Sequence, residues 1–242
     1  MSGIARAELI RILGITVLGI TACAPASVRA QTSQPASSSS SPSSPAKQVN
    51  KRASPADSPL SSGTVRAGVY RNPAFGFTCK IPAGWVLRTE EMNTRDGGDA
   101  KADEDKKAIG AGKAERVLLA AFSRPPEARG EDVNGSIVIA AESAAAYPGL
   151  KDAAQYFGPV TEVAKAQGFE VEEEPYEFAV RTRTVVRADF QKNVGTRVMR
   201  QSTLVVLARG YAVSFTFIGG TEDEVEELVG ELSFVAGVKT GQ

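Results

Sequence analysis

Histidine is absent from all 242 residues. That removes Ser-His-Asp and Cys-His nucleophile pairs, His-ligated zinc or haem, and imidazole acid–base catalysis. Cysteine is nearly absent as well. Cys23 and Cys79 are the only two, which is no disulfide framework, so the fold must stand on its hydrophobic core. Neither sign of charge is in excess. The 28 basic residues match 28 acidic ones, so the electrostatic footprint of a nucleic-acid binder is missing and no such partner is expected. What survives is carboxylate, lysine, tyrosine or thiol chemistry, or binding without chemistry. The remaining composition, 42% hydrophobic and 23% charged, is that of an ordinary globular protein.

The N-terminus carries an address. Arg6, Glu8 and Arg11 precede Ile12 to Ala22 (ILGITVLGITA), an unbroken apolar or small run. A helix needs about 20 residues to span a bilayer, and this run is far shorter. A basic segment followed by a short apolar one is the pattern of an export signal, expected here over residues 1–30. Two cleavage sites compete. Ile20-Thr21-Ala22-Cys23 resembles a bacterial lipobox, in which Cys23 would be lipidated and become the new N-terminus. Val28-Arg29-Ala30 instead offers small residues at the two positions an ordinary signal peptidase reads. Cys23 directly ends the apolar run, whereas the later site needs a long intervening stretch containing Pro25, so the lipoprotein reading is favoured. By the same resemblance, Ala24 rather than Asp after the cysteine directs a lipoprotein of a diderm bacterium to the outer membrane. Two or more acyl chains give stable anchoring where one is marginal.

Residues 31–63 contain 12 Ser and 5 Pro, with Val49 and Leu60 the only large apolar side chains. Such a stretch cannot bury enough surface to offset ordering entropy, so a disordered tether is expected. A flexible chain of about 35–40 residues reaches on the order of 35 Å. Residues 31–241 then carry 25 basic and 27 acidic side chains, a charge near −2.

From about Thr64 to Lys239 the pattern becomes that of one globular domain, taken as 64–240. Val65 to Arg71 reads as a short strand ended by Asn72-Pro73. In Phe77 to Ile81, Phe77, Cys79 and Ile81 share a face. Pro82-Ala83-Gly84 turns the chain into Trp85-Val86-Leu87, the second half of a hairpin-like unit. Residues 90–114, charged and Gly-rich, read as an insertion or loop. Val117 to Phe122 and Ile137 to Ala141 are continuous apolar runs, expected as central strands covered on both faces. Glu177 to Phe190, Arg197 to Ala208 and Tyr211 to Ile218 are three further strands. Leu150 to Gln167 predicts a helix broken at Gly158-Pro159. Thr221 to Leu232 predicts a second one. Thr221 and Glu224 form its capping box, Glu222 and Asp223 suit the positive helix end, and Val225, Leu228, Val229 and Leu232 make an apolar stripe. Strands with helices interposed and terminal give an α+β layout around an antiparallel sheet.

Tyr70-Arg71-Asn72-Pro73-Ala74-Phe75-Gly76-Phe77, followed by Ile81-Pro82-Ala83-Gly84-Trp85, resembles the opening of PsbP-like proteins. Tyr211 to Phe217, then the acidic helix and Phe234, resembles their last strand and closing helix. Residues 90–185 match only in element order. The resemblance implies an antiparallel sheet of about six to seven strands with helices on both faces, an α/β/α sandwich. For function it implies little. The family holds photosystem accessory proteins, relatives of a nuclear-import cofactor and many uncharacterised lipoproteins, and it is mostly non-enzymatic.

Few residues could carry chemistry. Phe75, Phe77 and Trp85 could form an aromatic patch, but are expected to pin the first hairpin into the core. Cys79 shares its face with Phe77 and Ile81 and is expected buried and inert. Gly110-Ala111-Gly112-Lys113-Ala114 lacks the upstream glycine and the Ser or Thr of a phosphate loop. Gly219-Gly220-Thr221 enters a helix N-terminus, but Glu222, Asp223 and Glu224 would repel a phosphate. Asp96, Asp99, Asp103, Glu104 and Asp105 have no EF-hand spacing and are interleaved with Lys101, Lys106 and Lys107. Glu170, Glu172, Glu173 and Glu174 lie on a strand-like stretch, with Glu172 and Glu174 alternating with Glu173 and expected to face water. Asn134-Gly135-Ser136 fits a glycosylation sequon that a bacterial lipoprotein leaves idle. No catalytic, cofactor or metal residue is assigned. The sequence is read as a non-catalytic, membrane-tethered envelope domain binding an envelope partner through its surface. A carboxylate-dependent hydrolase and a calcium-binding module using residues 96–105 are the alternatives.

Overall fold

The computed structural model describes residues 63–98, 115–125 and 133–235. The export signal, Cys23, the tether, the residues 110–114 and most of the 96–105 acidic stretch lie outside the described residues. Strands β1 (Thr64–Arg66), β2 (Val69–Asn72), β3 (Phe77–Lys80) and β4 (Val86–Leu87) lead to helix α1 (Thr89–Gly98). Strands β5 (Glu115–Phe122) and β6 (Ser136–Ser143) precede a 3₁₀ turn, Ala144–Ala146, and helix α2 (Ala153–Ala166). Then come β7 (Glu170–Val180), β8 (Arg183–Val194), β9 (Arg197–Ala208) and β10 (Tyr211–Gly219), helix α3 (Glu222–Gly230) and β11 (Leu232–Phe234).

The strands form two sheets, ordered β1-β2-β3-β11 and β4-β5-β6-β10-β9-β8-β7, with antiparallel pairing throughout. The α+β, antiparallel expectation therefore holds, but one sheet became two. The stretch read as a single strand from Val65 is a hairpin. Ala67 and Gly68 both have positive φ, 49° and 73°, the backbone that a tight primed turn requires. The stretch read from Glu177 to Phe190 is likewise two strands, split at Arg181, whose φ is 53°. β4 does not return against β3. It pairs with β5 through Val86↔Phe122 and so joins the larger sheet.

Period-2 alternation gives the seven-stranded sheet two apolar faces. On one, Ile137 and Ile139, Leu204 and Val206, and Phe215 and Phe217 meet the small sheet and the Val225, Leu228 and Val229 stripe of α3. The opposite phase, Ala188, Phe190, Met199, Val205 and Ala212, packs against Tyr156, Phe157, Val160 and Val163 of α2. Met92 of α1 lies with Val117, Ala120, Phe122 and Ala140, and these last residues are in register with that second phase. Ring contacts tie the small sheet to the large one. Phe77 is edge-on to Phe215 at 4.9 Å between centroids, and Phe234 lies 5.7 Å from Phe215.

α2 runs unbroken through Pro159, where a break was expected. The carbonyl that Pro159 leaves without an N–H belongs to Gln155, on the exposed side of the helix, where water can satisfy it. Five buried side chains on the other side hold the axis straight enough to continue. Asp152 and Gln155 form a reciprocal capping box at its start. Glu142 anchors the same region, since its Oε2 accepts from the Tyr147 and Tyr156 hydroxyls, both at 2.7 Å. At α3, Thr221 Oγ1 accepts from the Glu224 N–H at 3.1 Å, and Glu224 Oε2 accepts from Gly220 N–H rather than from the cap residue. Leu232, read as the end of that helix, begins β11.

The Phe77 junction sets a stability prediction. Phe77→Ala should lower the unfolding free energy by about 3–5 kcal/mol, while exposed Glu177→Ala should change it by no more than about 0.5 kcal/mol. Urea melts of the two variants check both values.

Candidate functional site

Two concavities gather the functional side chains. The first lies beside β7, β8, β9 and α3, has a volume of about 370 Å³, and is lined by Glu172, Glu173, Tyr176, Arg187 and Asp189 among others. The pairing of β7 with β8 slips at Val171/Glu173 and again before Tyr176. Those irregularities bring neighbouring Glu172 and Glu173 to one cavity instead of to opposite faces. Glu174 is exposed and does not line it.

Arg187 is the hub. Its side chain is 7% exposed. Its Nε donates to both oxygens of Asp189 at 3.0 Å, its Nη2 pairs with Glu226 of α3, and its guanidinium lies 4.8 Å from the Phe178 centroid. Tyr176 donates its hydroxyl to Asp189 Oδ2 at 3.0 Å, and Arg200 pairs with Glu172. Burial works against the Arg187 charge, but the Glu226 hydrogen bond and the Asp189 carboxylate outweigh it and hold the group above its ordinary range. Tyr176 is pushed upward by burial and then by the negative charge of Asp189. It therefore remains a protonated donor at neutral pH. An acid–base catalyst is most effective with a pKa near the working pH, and the one phenol in this cavity is shifted the other way. Most of the polar reach of the cavity is spent on internal ion pairs.

The second concavity, about 520 Å³, opens between the Pro82–Trp85 turn, the ends of β6 and β10, and α3. Trp85 N–H donates to Pro82 O at 3.3 Å, and Gly84 takes φ 84°, as the third position of a type II turn requires. This turn swings the chain from the small sheet to the large one and leaves Trp85 half-buried at the crossing. Gly135 lies under the Trp85 ring, and a Cβ there would sit in van der Waals contact with it at 3.4 Å. Val133, Ile218 and Leu228 complete an apolar floor, and Glu224, Glu227 and Glu231 of the α3 segment stand over it with Lys80. Lys80 Nζ pairs with Glu231 at 3.0 Å.

The aromatic expectation thus divides. Phe75 and Phe77 are core, at 2% and 1% exposure, while Trp85 both packs on that core and lines the groove. Cys79 is fully buried, and burial, followed by the nearby Glu231 charge, pushes its thiol up to about 12. Asn134 ties the ends of the β5–β6 connection together, accepting from Ser123 Oγ at 2.9 Å and Arg124 N–H at 3.2 Å. Gly219 and Gly220 form the turn into α3 as expected, with Glu224 occupying the Gly220 N–H. The described residues contain no group of three acidic or thiol ligands placed to hold a metal. Residues 99–105 of the calcium alternative, with the Asp96 side chain, lie outside the described residues. Sequence reasoning missed Tyr176, Arg187, Asp189 and Glu226. The available signal was Arg187 and Asp189 in phase with Val185, charges on the inward side of an otherwise apolar alternation.

No family model matches the chain, and no curated protein does. Solved structures that it resembles include cyanobacterial PsbP (CyanoP) from Synechocystis sp. PCC 6803, at 16% identity, covering 71% of this chain and 95% of that one, with TM-score 0.38. Another is the Saccharomyces cerevisiae Ran-binding protein Mog1p, at 13% identity, covering 69% and 94%, with TM-score 0.37. A third is LpqN, involved in cell envelope biogenesis of Mycobacterium tuberculosis, at 14% identity, covering 63% and 75%, with TM-score 0.31. These likenesses are too distant to transfer an activity or a partner.

Tyr70 and Cys79 contribute to the alkaline behaviour beside Tyr176, which is shifted in the same direction. Tyr70 and Cys79 rise from ordinary values of 10.0 and 9.0 to about 12 each, burial being the main cause in both. The unfolded chain therefore releases these protons first. Their contribution to stability is full below about pH 9 and is lost as pH rises from there through about 12. Cys79→Ala should remove one proton from that dependence, so urea melts between about pH 8 and 11 should show a shallower decline than wild type. Equal slopes would contradict the assignment.

Proposed function

We propose that the chain is a non-catalytic, PsbP-like domain of the cell envelope, lipid-anchored through Cys23 and acting as a binding or accessory module. In this reading the domain is an α/β/α sandwich, with α1 and α2 on one face of the large sheet and α3 on the other. It faces the periplasm or sits at the outer membrane. A soluble exported form, cut after Ala30, is the variant of the same reading.

The observation that carries the non-catalytic part is the internal ion pairing of the 370 Å³ cavity. A hydrolase using two carboxylates needs one protonated and one free near neutral pH. Here Asp189 and Glu226 are bound to Arg187, and Glu172 is bound to Arg200. The carboxylate pair of the hydrolase alternative, Glu172 and Glu174, is not gathered here, because Glu172 lines the cavity and Glu174 does not. Turnover of a polysaccharide that disappears in Glu172→Gln with the fold retained would favour that alternative.

The anchor rests on Ile20-Thr21-Ala22-Cys23 at the end of the apolar run, and on the Ser- and Pro-rich 31–63 segment that would hold a domain off a membrane. Cys23→Ser should abolish labelling by a fatty-acid probe and move the protein from the membrane to the soluble fraction. Unchanged labelling and fractionation would end the lipoprotein reading.

A further inference from the structure

The Trp85 groove combines an apolar floor with an excess of negative charge. Its lining holds three glutamates against one lysine, and that lysine is already paired with Glu231. Glu224 shares its carboxylate with the Gly220 N–H at 2.7 Å. Glu227 is exposed and makes no ion pair among the described residues. The helix behind them has five acidic residues, Glu222, Asp223, Glu224, Glu226 and Glu227, and no basic one. An apolar side chain beside Trp85 would leave water, and a cation next to it would meet Glu227, while Arg197 and Arg200 stand on the far side of Glu224. Residues 126–132, between β5 and β6 in the sequence, lie outside the described residues and carry Glu127, Glu131 and Asp132 against Arg129, the same sign as the groove.

We propose that this groove receives a segment of a partner protein in which an apolar side chain is flanked by lysine or arginine. The apolar group sits on Trp85 and Leu228, and the cation faces Glu227 and Glu224. Aromatic floors with flanking charge suit such recognition, since burial supplies affinity and opposite charge supplies orientation and rate. The proposal rests on reading the domain as a binding module and names the chemistry of what it binds.

Trp85 is the only tryptophan of the chain, so tryptophan emission, excited selectively over the five tyrosines, reports on this groove. The full mature chain is titrated with a ten-residue peptide alternating Lys and Leu, and with Glu–Leu and Ser–Leu peptides of equal length. The Lys–Leu peptide should shift Trp85 emission in a saturable way that weakens as salt is raised. Glu227→Lys should weaken it at least fivefold, and the Glu–Leu peptide should give no shift. No emission change, or an equal response to Ser–Leu or in Glu227→Lys, overturns the proposal. The chain's own Lys47, Val49, Lys51 and Arg52 are the competing occupant. A peptide response that arises only after Lys47, Lys51 and Arg52 are changed to Ser assigns the groove to them and overturns the partner assignment. Acyl labelling at Cys23 and assays of turnover do not involve the groove, so failure here is distinguishable from failure of the envelope-module reading.

Discussion

The fold depends on the contact of three aromatic rings contributed by distant parts of the chain. Phe77 enters from β3, Phe215 from the penultimate strand and Phe234 from the last one. Edge-to-face packing satisfies the ring quadrupoles while removing large apolar areas from water. Cys79 is a free thiol among the described residues, and this junction with the apolar faces around it holds the small sheet on the large one. The α3 stripe then closes over the same cluster. Everything that lines the Trp85 groove, from the Pro82 turn to α3, takes its position from that closure.

Polar groups inside the molecule are arranged to satisfy one another. Glu142 is 3% exposed and takes two tyrosine hydroxyls. Arg187 is 5% exposed and takes Asp189 and Glu226. A buried charge without such partners would cost several kcal/mol (on the order of 3–5). These clusters therefore read first as conditions of the fold. The edge strand β7 is handled in a similar way, with Glu170, Glu172, Glu173, Glu174 and Pro175 along its start. Like charges and a proline on an open edge discourage pairing with another chain. The same residues looked, in isolation, like a candidate acidic site.

Strands β5, β6, β9 and β10 were legible because their hydrophobic pattern and their length agree, and tertiary packing had only to accept them. β7–β8 was misread as a single strand because its turn uses Arg181 at positive φ, where Gly or Asn is the usual marker, whereas β1–β2 carried one such marker, Gly68, beside Ala67. The α2 break was wrong for a related reason. Proline disfavours a helix locally, but five buried side chains on the opposite side decide the matter collectively. Of the candidate site, Trp85 was visible, while the ion-paired cavity was not. Its members come from β7, β8, β9 and α3, and the slipped register that joins Glu172 to Glu173 has no local signature.

By itself the sequence determined that histidine chemistry is absent, that Cys79 is buried, and the α+β antiparallel class, since these follow from residue types and from periodicities of two and 3.6. The tertiary structure alone decided which strands share a sheet, that β4 leaves the first sheet for the second, and that Trp85 stands under three glutamates. Those outcomes depend on contacts between residues scores of positions apart, whose free energy is set by packing and mutual charge and not by any local stretch of chain.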